Sequence, residues 1–489
     1  MTKAAGIASS PSSEAFKGLR ISVIGAARSG VSAARILTLL GAQVLLSDSA
    51  PSENIGAERN AEIAATGARF AAGADAEEAL PPGTDLVVTS PGVPRTAEVL
   101  QEAVRRGIPV WSEVELAYRL AAAPLIAVTG TNGKTTTTLL IAAMLEQSKL
   151  HPRVAGNISA DEIKRTLVDA AFGTSAFAPQ AERLAGNPIL VAEISSFQLE
   201  WVEKFAPRVA VLTNITPDHL NRYNGFDDYA QTKARLFAAQ GPDDWAILNY
   251  DDPAARRIGE SGLPSKRLWF TTKQPQGAVQ GSLAWVEGES VQVRLQETGE
   301  PDFLLPCREF SPALPGRHSV ENVLAAAAAA LATGAAPEAI AQAVRTFPGV
   351  AHRMEFVRAV GGVRYVNNSM CTNVAAAVSS LRSLDRPGIV IMGGADKGLD
   401  FAPLVPALKE HARQLLLIGQ AAEKMESVFR AGGYTVILRA ETLEEAIEAA
   451  GAIARPFETV LLCPACASFD MFRDFEERGT AFRRAVQNL

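Results

Sequence analysis

The chain has 489 residues, of which 47% are hydrophobic and 20% are charged, as in ordinary folded proteins. At about 100–200 residues per domain, this length predicts roughly three domains. The formal net charge of −6 argues against a nucleic-acid partner. Residues 1–16 contain no apolar stretch, and the alanine-rich stretch 323–336 is interrupted by Thr333 and Gly334. We therefore expect no signal peptide, no membrane insertion and a cytoplasmic location.

Strands and helices alternate along the first 122 residues, which predicts a parallel sheet covered by helices on both faces. The loop Gly25–Gly30 opens a helix that runs to about Leu40. Its spacing approaches the dinucleotide-binding pattern G-x-G-x-x-G, but Ala27 replaces the middle glycine. The loop therefore indicates a phosphorylated ligand, of which NAD is only one option. The predicted strands are Ile21–Ile24, Gln43–Ser47 and Asp85–Thr89, and the turn Ser90–Pro94 follows the last of them.

A phosphate-binding loop opens the second region. Residues 128–136 read V-T-G-T-N-G-K-T-T between a predicted strand and a helix. Gly130 and Gly133 allow the backbone to approach phosphate oxygens, and the amides at the helix start point at the anion. Lys134 is suited to the β- and γ-phosphates and Thr135 to Mg²⁺. A valine stands where the general pattern has its first glycine, so the short form G-T-N-G-K-T carries the prediction of a nucleoside triphosphate.

Two strand ends of the same region carry possible metal ligands. Glu193 lies in the strand 189–194, and His219 follows the strand 208–212. A carboxylate at the carboxyl edge beside a phosphate loop suits Mg²⁺. Lys233 falls on an amphipathic helix, where the pattern alone predicts a solvated lysine.

The remaining pattern predicts further α/β structure. We expect a surface insertion over 170–188, an antiparallel excursion over 280–305, a helix over 320–333 and another to about Thr346. After a linker at 347–350, strands and helices alternate again, and a last helix starts near Asp470. The other predicted strands are Leu125–Thr129, Trp245–Leu248, Val363–Asn367, Gly388–Met392, Gln414–Ile418, Thr435–Leu438 and Thr459–Leu462.

Four cysteines are present, two of them in Cys463-Pro-Ala-Cys466. This spacing occurs in redox and zinc sites, but no second ligand pair accompanies it. We therefore favour small buried residues at a strand–helix turn, with a redox role and structural zinc as the lesser alternatives.

Eight motifs in order carry a resemblance to a known family. The central region contains G-T-N-G-K-T-T, E-I-S-S-F-Q-L-E, T-P-D-H-L-N-R-Y, Y-x-x-x-K-x-x-L-F and L-P-G-R-H-S-V-E-N, and the last region contains H-R-M-E-F, G-G-A-D-K-G and C-P-A-C-A-S-F-D-M-F. From about Gly18 onward, the chain resembles the Mur ligase family. The resemblance implies an α/β protein of three domains: a Rossmann-like UDP-substrate-binding domain (1–122), a central P-loop ATP-binding domain (123–346) and a C-terminal Rossmann-like amino-acid-binding domain (347–489).

The resemblance also implies an activity in peptidoglycan precursor synthesis. A monomeric, ATP-dependent ligase would add D-glutamate to UDP-N-acetylmuramoyl-L-alanine through an acyl phosphate, with two Mg²⁺ ions and a carbamylated Lys233. Lys134, His219 and Lys233 would be catalytic, and the metal ligands would be Thr135, Glu193, His219 and Lys233. ATP would contact Gly130, Thr131, Asn132, Gly133, Lys134, Thr135, Thr136, Asn322, Arg353 and Asn368. The UDP substrate would contact Ser29, Asp48, Ser90, Gly92 and Asn157, and the amino acid would contact Thr372, Lys397, Ser468 and Phe475.

One motif departs from the family pattern N-D-S-K-A-T-N. Here Asn368 replaces the acidic residue, and Met370 replaces a lysine expected near the reacting groups. Either Lys397 and Arg353 suffice, or substrate affinity differs, or the amino acid is not D-glutamate. A Mur-type ligase of other specificity and a non-catalytic nucleotide-binding regulator therefore stay open. An oxidoreductase would leave the phosphate loop unexplained.

Overall fold

A computed structural model describes residues 15–158, 165–219, 222–273, 281–396 and 398–489. They fall into two compact units. The first unit comprises Met1–Glu309 and Arg317–Thr346, and the second comprises Phe310–Gly316 and Phe347–Leu489. The boundary expected after residue 122 lies inside the first unit, and the domain limits stay predictions. Among the described residues, no helix is long and apolar enough to cross a membrane.

The first sheet of the first unit is parallel throughout, in the order β3-β2-β1-β4-β5. Residues 21–24 of β1 and all of β4 are buried, because helices cover both faces of the sheet. The strand order reverses between β1 and β4, which is where sheets of this kind bind ligands. The strands are β1 (Arg20–Ile24), β2 (Gln43–Asp48), β3 (Arg69–Ala72), β4 (Leu86–Thr89) and β5 (Val110–Ser112), and the helices are α1 (Arg28–Leu39), α2 (Ser52–Ile55), α3 (Ala57–Ala64), α4 (Ala76–Ala79), α5 (Glu98–Arg105) and α6 (Glu113–Leu120).

The second sheet of this unit has nine strands in the order β14-β13-β12-β11-β10-β9-β6-β8-β7. The strands β12, β13 and β14 pair antiparallel, which confirms the predicted excursion. The strands are β6 (Leu125–Thr129), β7 (Pro152–Gly156), β8 (Ile189–Glu193), β9 (Val209–Leu212), β10 (Trp245–Asn249), β11 (Lys266–Thr271), β12 (Ser282–Glu287), β13 (Ser290–Arg294) and β14 (Phe303–Pro306). The helices are α7 (Lys134–Gln147), α8 (Leu167–Thr174), α9 (Ser196–Leu199), α10 (Phe226–Ala234), α11 (Pro253–Glu260), α12 (Gly316–Ala332) and α13 (Pro337–Thr346).

The surface insertion predicted over 170–188 is wrong in its first part. Residues 170–174 belong to α8, in which Ala170, Ala171 and Phe172 are buried in the core of the unit. Asp169 on this helix accepts hydrogen bonds from Ser32 and Arg35 of α1. The small side chains that suggested a loop instead let the helix pack closely against its neighbours.

The second unit contains a six-stranded sheet in the order β15-β16-β20-β17-β18-β19, with β15 antiparallel to β16 and the other pairs parallel. The last helix begins at Phe475 rather than near Asp470, because the Asp474 carboxylate caps it by accepting from the Glu477 amide at 2.7 Å. The strands are β15 (Glu355–Val360), β16 (Val363–Asn367), β17 (Gly388–Gly393), β18 (Ala412–Ile418), β19 (Ile437–Arg439) and β20 (Thr459–Leu462). The helices are α14 (Val374–Arg382), α15 (Leu404–His411), α16 (Ala422–Ala431), α17 (Leu443–Ile453) and α18 (Phe475–Gln487).

Candidate functional site

The phosphate loop connects β6 to α7, and two of its glycines are required by their surroundings. Gly130 has a φ of +148°, and a Cβ there would lie 1.9 Å from the Thr213 hydroxyl oxygen. Gly133 has a φ of +81° at the N-cap of α7. Asn214 holds the segment between them, since its carbonyl and its Oδ1 each accept from a loop amide at 2.9 Å. Contacts within the protein therefore set the shape of the loop.

Thr135 and Glu193 are brought into direct contact. The Thr135 hydroxyl donates to Glu193 Oε2 at 2.6 Å, and Asn157 Nδ2 donates to Oε1 at 3.3 Å. Glu193 is buried at the carboxyl end of β8. This contact joins two predicted metal ligands and one residue expected at the UDP substrate.

Lys233 is buried, contrary to the expectation from its helical pattern alone. Only 1% of the residue is exposed, and its Nζ donates to the Gly130 carbonyl at 2.9 Å. The ammonium also lies 4.8 Å from the ring centroid of Tyr229, whose hydroxyl is 3.1 Å from Thr131 Oγ1. Burial, reinforced by the positive charge of Lys134, lowers the pKa of Lys233 well below its usual range.

His219 lies near the carboxyl edge of β9 and stays about half exposed. Its Nε2 is 3.4 Å from Asp218 Oδ2, and its ring centroid lies 4.9 Å from that of Phe197. The backbone of His219 has a φ of +52°, which is uncommon for a side chain with a Cβ. Among the described residues, no three His, Cys, Asp or Glu side chains gather as metal ligands.

Asn322 of α12 lies beside the phosphate loop. Its Oδ1 accepts from the Thr137 hydroxyl at 3.3 Å. A Cβ at Gly133 would approach the same oxygen to 2.4 Å. The structure therefore brings a predicted ATP residue, almost 190 positions away in sequence, to the start of α7.

A cavity of about 440 Å³ opens at the carboxyl edge of the first sheet, at the reversal between β1 and β4. Asp48, Ser90 and Gly92, three of the residues expected at the UDP substrate, line it. The Asp48 carboxylate accepts from the Ala26 amide at 2.7 Å. Ser29 lies in the first turn of α1 and is not among the lining residues.

The remaining predicted residues belong to the second unit. Asn368 is buried, accepts from the Met354 amide at 3.2 Å and donates to Ser380 Oγ at 2.8 Å. Arg353 is half-buried just before β15, Thr372 follows β16, Ser468 is buried after β20, and Phe475 begins α18. Lys397 lies outside the described residues.

A buried arginine that the sequence pattern did not indicate lies next to these residues. Arg478 donates to Ser369 Oγ at 3.0 Å and to the carbonyls of Ser369, Cys466 and Ala467 at 2.9, 3.1 and 3.3 Å. Burial lowers its pKa to about 10. It ties the turn after β16 to the turn after β20, where the residues expected at the amino acid lie. The only sequence signal was an arginine on the apolar side of a terminal helix.

The structure agrees with the prediction that the C-x-x-C cysteines are small buried residues in a turn after a strand. Cys463 and Cys466 are free, buried residues that directly follow β20. Burial raises the pKa of the Cys466 thiol to about 12, which opposes thiolate chemistry.

Comparisons with known proteins agree with this geometry. Residues 128–330 match the Mur ligase middle domain, and residues 352–466 match the Mur ligase glutamate ligase domain. A protein of Pelotomaculum thermopropionicum is 42% identical over 97% of this chain and 98% of its own length. A protein of Salinibacter ruber is 39% identical over 96% of this chain and 98% of its own length.

The chain belongs to the Mur ligase family. Both relatives are named UDP-N-acetylmuramoylalanine–D-glutamate ligase. The fold also resembles the crystal structure of UDP-N-acetylmuramate–alanine ligase MurC from Thermotoga maritima, with a TM-score of 0.55 and 18% identity over 96% of this chain and 99% of that one.

Proposed function

We propose that this protein is an ATP-dependent ligase that joins D-glutamate to UDP-N-acetylmuramoyl-L-alanine in peptidoglycan precursor synthesis. The proposal depends on the 42% identity, over 97% of the chain, to a relative named UDP-N-acetylmuramoylalanine–D-glutamate ligase. Both nucleotides are cytoplasmic metabolites, so the reaction belongs to the cytoplasm.

The phosphate loop supplies the ATP half of the reaction. The loop amides and Lys134 would bind the phosphates, with Asn322 beside them. The hydroxyl–carboxylate contact of Thr135 and Glu193 presents hard oxygen ligands next to this loop, which fits Mg²⁺. Thr135, Glu193, His219 and Lys233 would hold two Mg²⁺ ions, which reduce the repulsion between the phosphates and the attacking carboxylate when bound.

The burial of Lys233 supports a carbamate at this position. A lowered pKa increases the fraction of unprotonated amine, whose lone pair can attack carbon dioxide, forming an N–C bond and releasing one proton. The resulting anionic group would act as a metal ligand, which a buried ammonium ion cannot do.

The two substrates then react in two steps. The terminal carboxylate of the UDP substrate attacks the γ-phosphorus of ATP, forming an acyl phosphate and releasing ADP. The amine of D-glutamate attacks the acyl carbon, and the tetrahedral intermediate loses inorganic phosphate and a proton to form the amide. Asp48, Ser90, Gly92, Ser29 and Asn157 would hold the UDP substrate, and Thr372, Lys397, Ser468 and Phe475 would hold D-glutamate, while Arg353 and Asn368 would contact ATP.

Phosphate release from ATP and UDP-N-acetylmuramoyl-L-alanine, measured with a panel of amino acids, tests this function. We expect release with D-glutamate. Release only with another amino acid would identify a Mur-type ligase of different specificity. This alternative is relevant because Met370 stands where the family pattern has a lysine. Nucleotide binding without release for any amino acid would instead indicate the regulator.

The Lys233→Ala variant tests the carbamate separately. We expect low activity that short carboxylic acids partly restore, because they replace the missing anion. Lys134→Ala is the matched control, since it also removes a lysine at the loop, but an anionic carboxylate cannot replace the positive charge that Lys134 would present to the phosphates. Full activity of Lys233→Ala, without any effect of bicarbonate or carboxylates, would exclude the carbamate.

A further inference from the structure

Arg222 links three parts of the first unit. Its guanidinium donates to both carboxylate oxygens of Glu200, at 2.8 and 2.7 Å, and to the Val93 carbonyl at 2.8 Å. The same group lies 4.1 Å from the ring centroid of Phe197. The side chain of Glu200 is 1% exposed and that of Arg222 is 12% exposed, so this is a buried, bidentate pair.

One side of this pair is the cavity of the first sheet. Val93 lines that cavity in the turn after β4 and directly follows Gly92. The Val93 amide donates to the Ser90 carbonyl at 3.1 Å. A ligand in the cavity would therefore contact the turn whose Val93 carbonyl accepts from Arg222.

The other side is His219. The Arg222 amide donates to the His219 carbonyl at 2.9 Å, and the Phe197 ring contacts both the guanidinium and the imidazole. Arg222 therefore contacts His219 through the backbone and, through one aromatic ring, supports its side chain.

A second arginine, on the side of the cavity turn, pairs with a residue of the region that follows Arg222. Arg95, just after the cavity turn, donates to Asp228 Oδ1 of α10 at 3.0 Å and also pairs with Oδ2. Asp228 in turn accepts from the Asn224 amide at 2.9 Å. Among the contacts of the described residues, Arg95 touches neither Phe197 nor His219 directly: its guanidinium lies 5.7 Å from the Tyr223 ring centroid, which is 6.2 Å from that of Phe197. A variant of Arg95 therefore removes a contact of the turn with a less direct effect on the histidine than a variant of Arg222.

We propose that Arg222 is a positioning residue that couples occupation of the first-sheet cavity by the uridine diphosphate group to the orientation of His219. This rests on the proposed function, which assigns that cavity to the UDP substrate. Binding in the cavity orders the Val93 turn, the carbonyl of that turn orients the guanidinium, and the guanidinium orients Phe197 and the His219 backbone.

The test uses the full-length enzyme with UDP alone as the probe, at a saturating concentration. Carbethoxylation of His219 by diethyl pyrocarbonate is followed by mass spectrometry with and without UDP. We expect UDP to change the modification rate in the wild type and to have no effect in Arg222→Lys, which keeps the charge but loses the bidentate geometry. Steady-state kinetics of Arg222→Lys should show kcat lowered by about 10- to 100-fold and a higher KM for the UDP substrate.

Matched variants separate coupling from folding. Arg235→Lys is the control, because the Arg235 guanidinium also donates to Glu200, at the backbone carbonyl and 2.6 Å away. This variant should keep the effect of UDP on the modification of His219. Arg95→Gln should raise the KM for the UDP substrate while kcat stays within about twofold. If Arg222→Lys fails to fold, the double variant Arg222→Met/Glu200→Gln, which buries no unpaired charge, replaces it.

Two outcomes overturn the inference in distinguishable ways. If the wild type neither binds UDP nor releases phosphate, the proposed function fails and the coupling fails with it. If the wild type is active and binds UDP, but His219 reacts alike with and without UDP or Arg222→Lys keeps the wild-type response and kcat, the coupling alone is refuted.

Discussion

Replacing Gly133 with alanine should weaken nucleotide binding and should lower the free energy of unfolding by more than its backbone strain alone. The added Cβ would lie 2.4 Å from Asn322 Oδ1, which accepts the hydrogen bond from Thr137. A left-handed backbone costs an L-residue about 1–2 kcal/mol, and loss of that hydrogen bond costs about 0.5–1.5 kcal/mol. The free energy of unfolding should therefore fall by about 1.5–3.5 kcal/mol.

The chain offers a matched control at Gly262. Its φ of +84° is close to the +81° of Gly133, but nothing lies within 4 Å of a Cβ added there. Gly262→Ala should therefore show only the backbone cost of about 1–2 kcal/mol. Urea unfolding measures both variants, and calorimetric titration with Mg·ADP measures binding. We expect at least about tenfold weaker binding for Gly133→Ala, equal to 1.4 kcal/mol, and unchanged binding for Gly262→Ala. Equal stability and equal Mg·ADP affinity in the two variants would refute the role of the Asn322 contact.

Three further predictions concern buried groups. Burial raises the pKa of Glu113 from 4.5 to about 7, so its contribution to stability is complete below pH 4.5 and falls by about 3 kcal/mol as the pH rises through 7. Glu113→Gln should abolish this fall in the free energy of unfolding, measured with urea between pH 5 and 8, and an unchanged pH dependence would contradict the assignment. Asn368→Asp puts a buried carboxylate where an amide now donates to Ser380. The free energy of unfolding should therefore fall by about 1–3 kcal/mol at pH 8 and recover towards pH 5, and equal melting temperatures of variant and wild type at pH 8 would contradict this prediction. Of the four cysteines only Cys307 is not buried, so the native protein should react rapidly with one equivalent of a thiol reagent and Cys307→Ser with none; rapid labelling of a second thiol would be inconsistent with the packing.

Most strands of the three sheets were predictable because their residues are largely apolar on both faces, as in β4, β6 and β9. The missed strands β3, β5, β7 and β15 lie at sheet edges, and β7 also begins at a proline. The missed strand β11 lies inside its sheet but begins with two exposed basic residues, Lys266 and Arg267. Edge strands have one solvated side, so their composition resembles that of loops. The helix α8 was missed for the converse reason, because its small residues signal a loop unless a neighbouring helix packs on them.

The amino-acid sequence by itself determined the phosphate loop, its position between a strand and a helix, and the residue types for phosphate and magnesium chemistry. These features are local, because a few consecutive residues set the backbone conformation and the groups it presents. Only the tertiary structure decided that Lys233 is buried against the Gly130 carbonyl, that Asn322 reaches the loop and that Arg222 joins the cavity turn to His219. Burial and pairing depend on residues that are far apart along the chain, and no periodicity within one helix records which of its faces another element will cover.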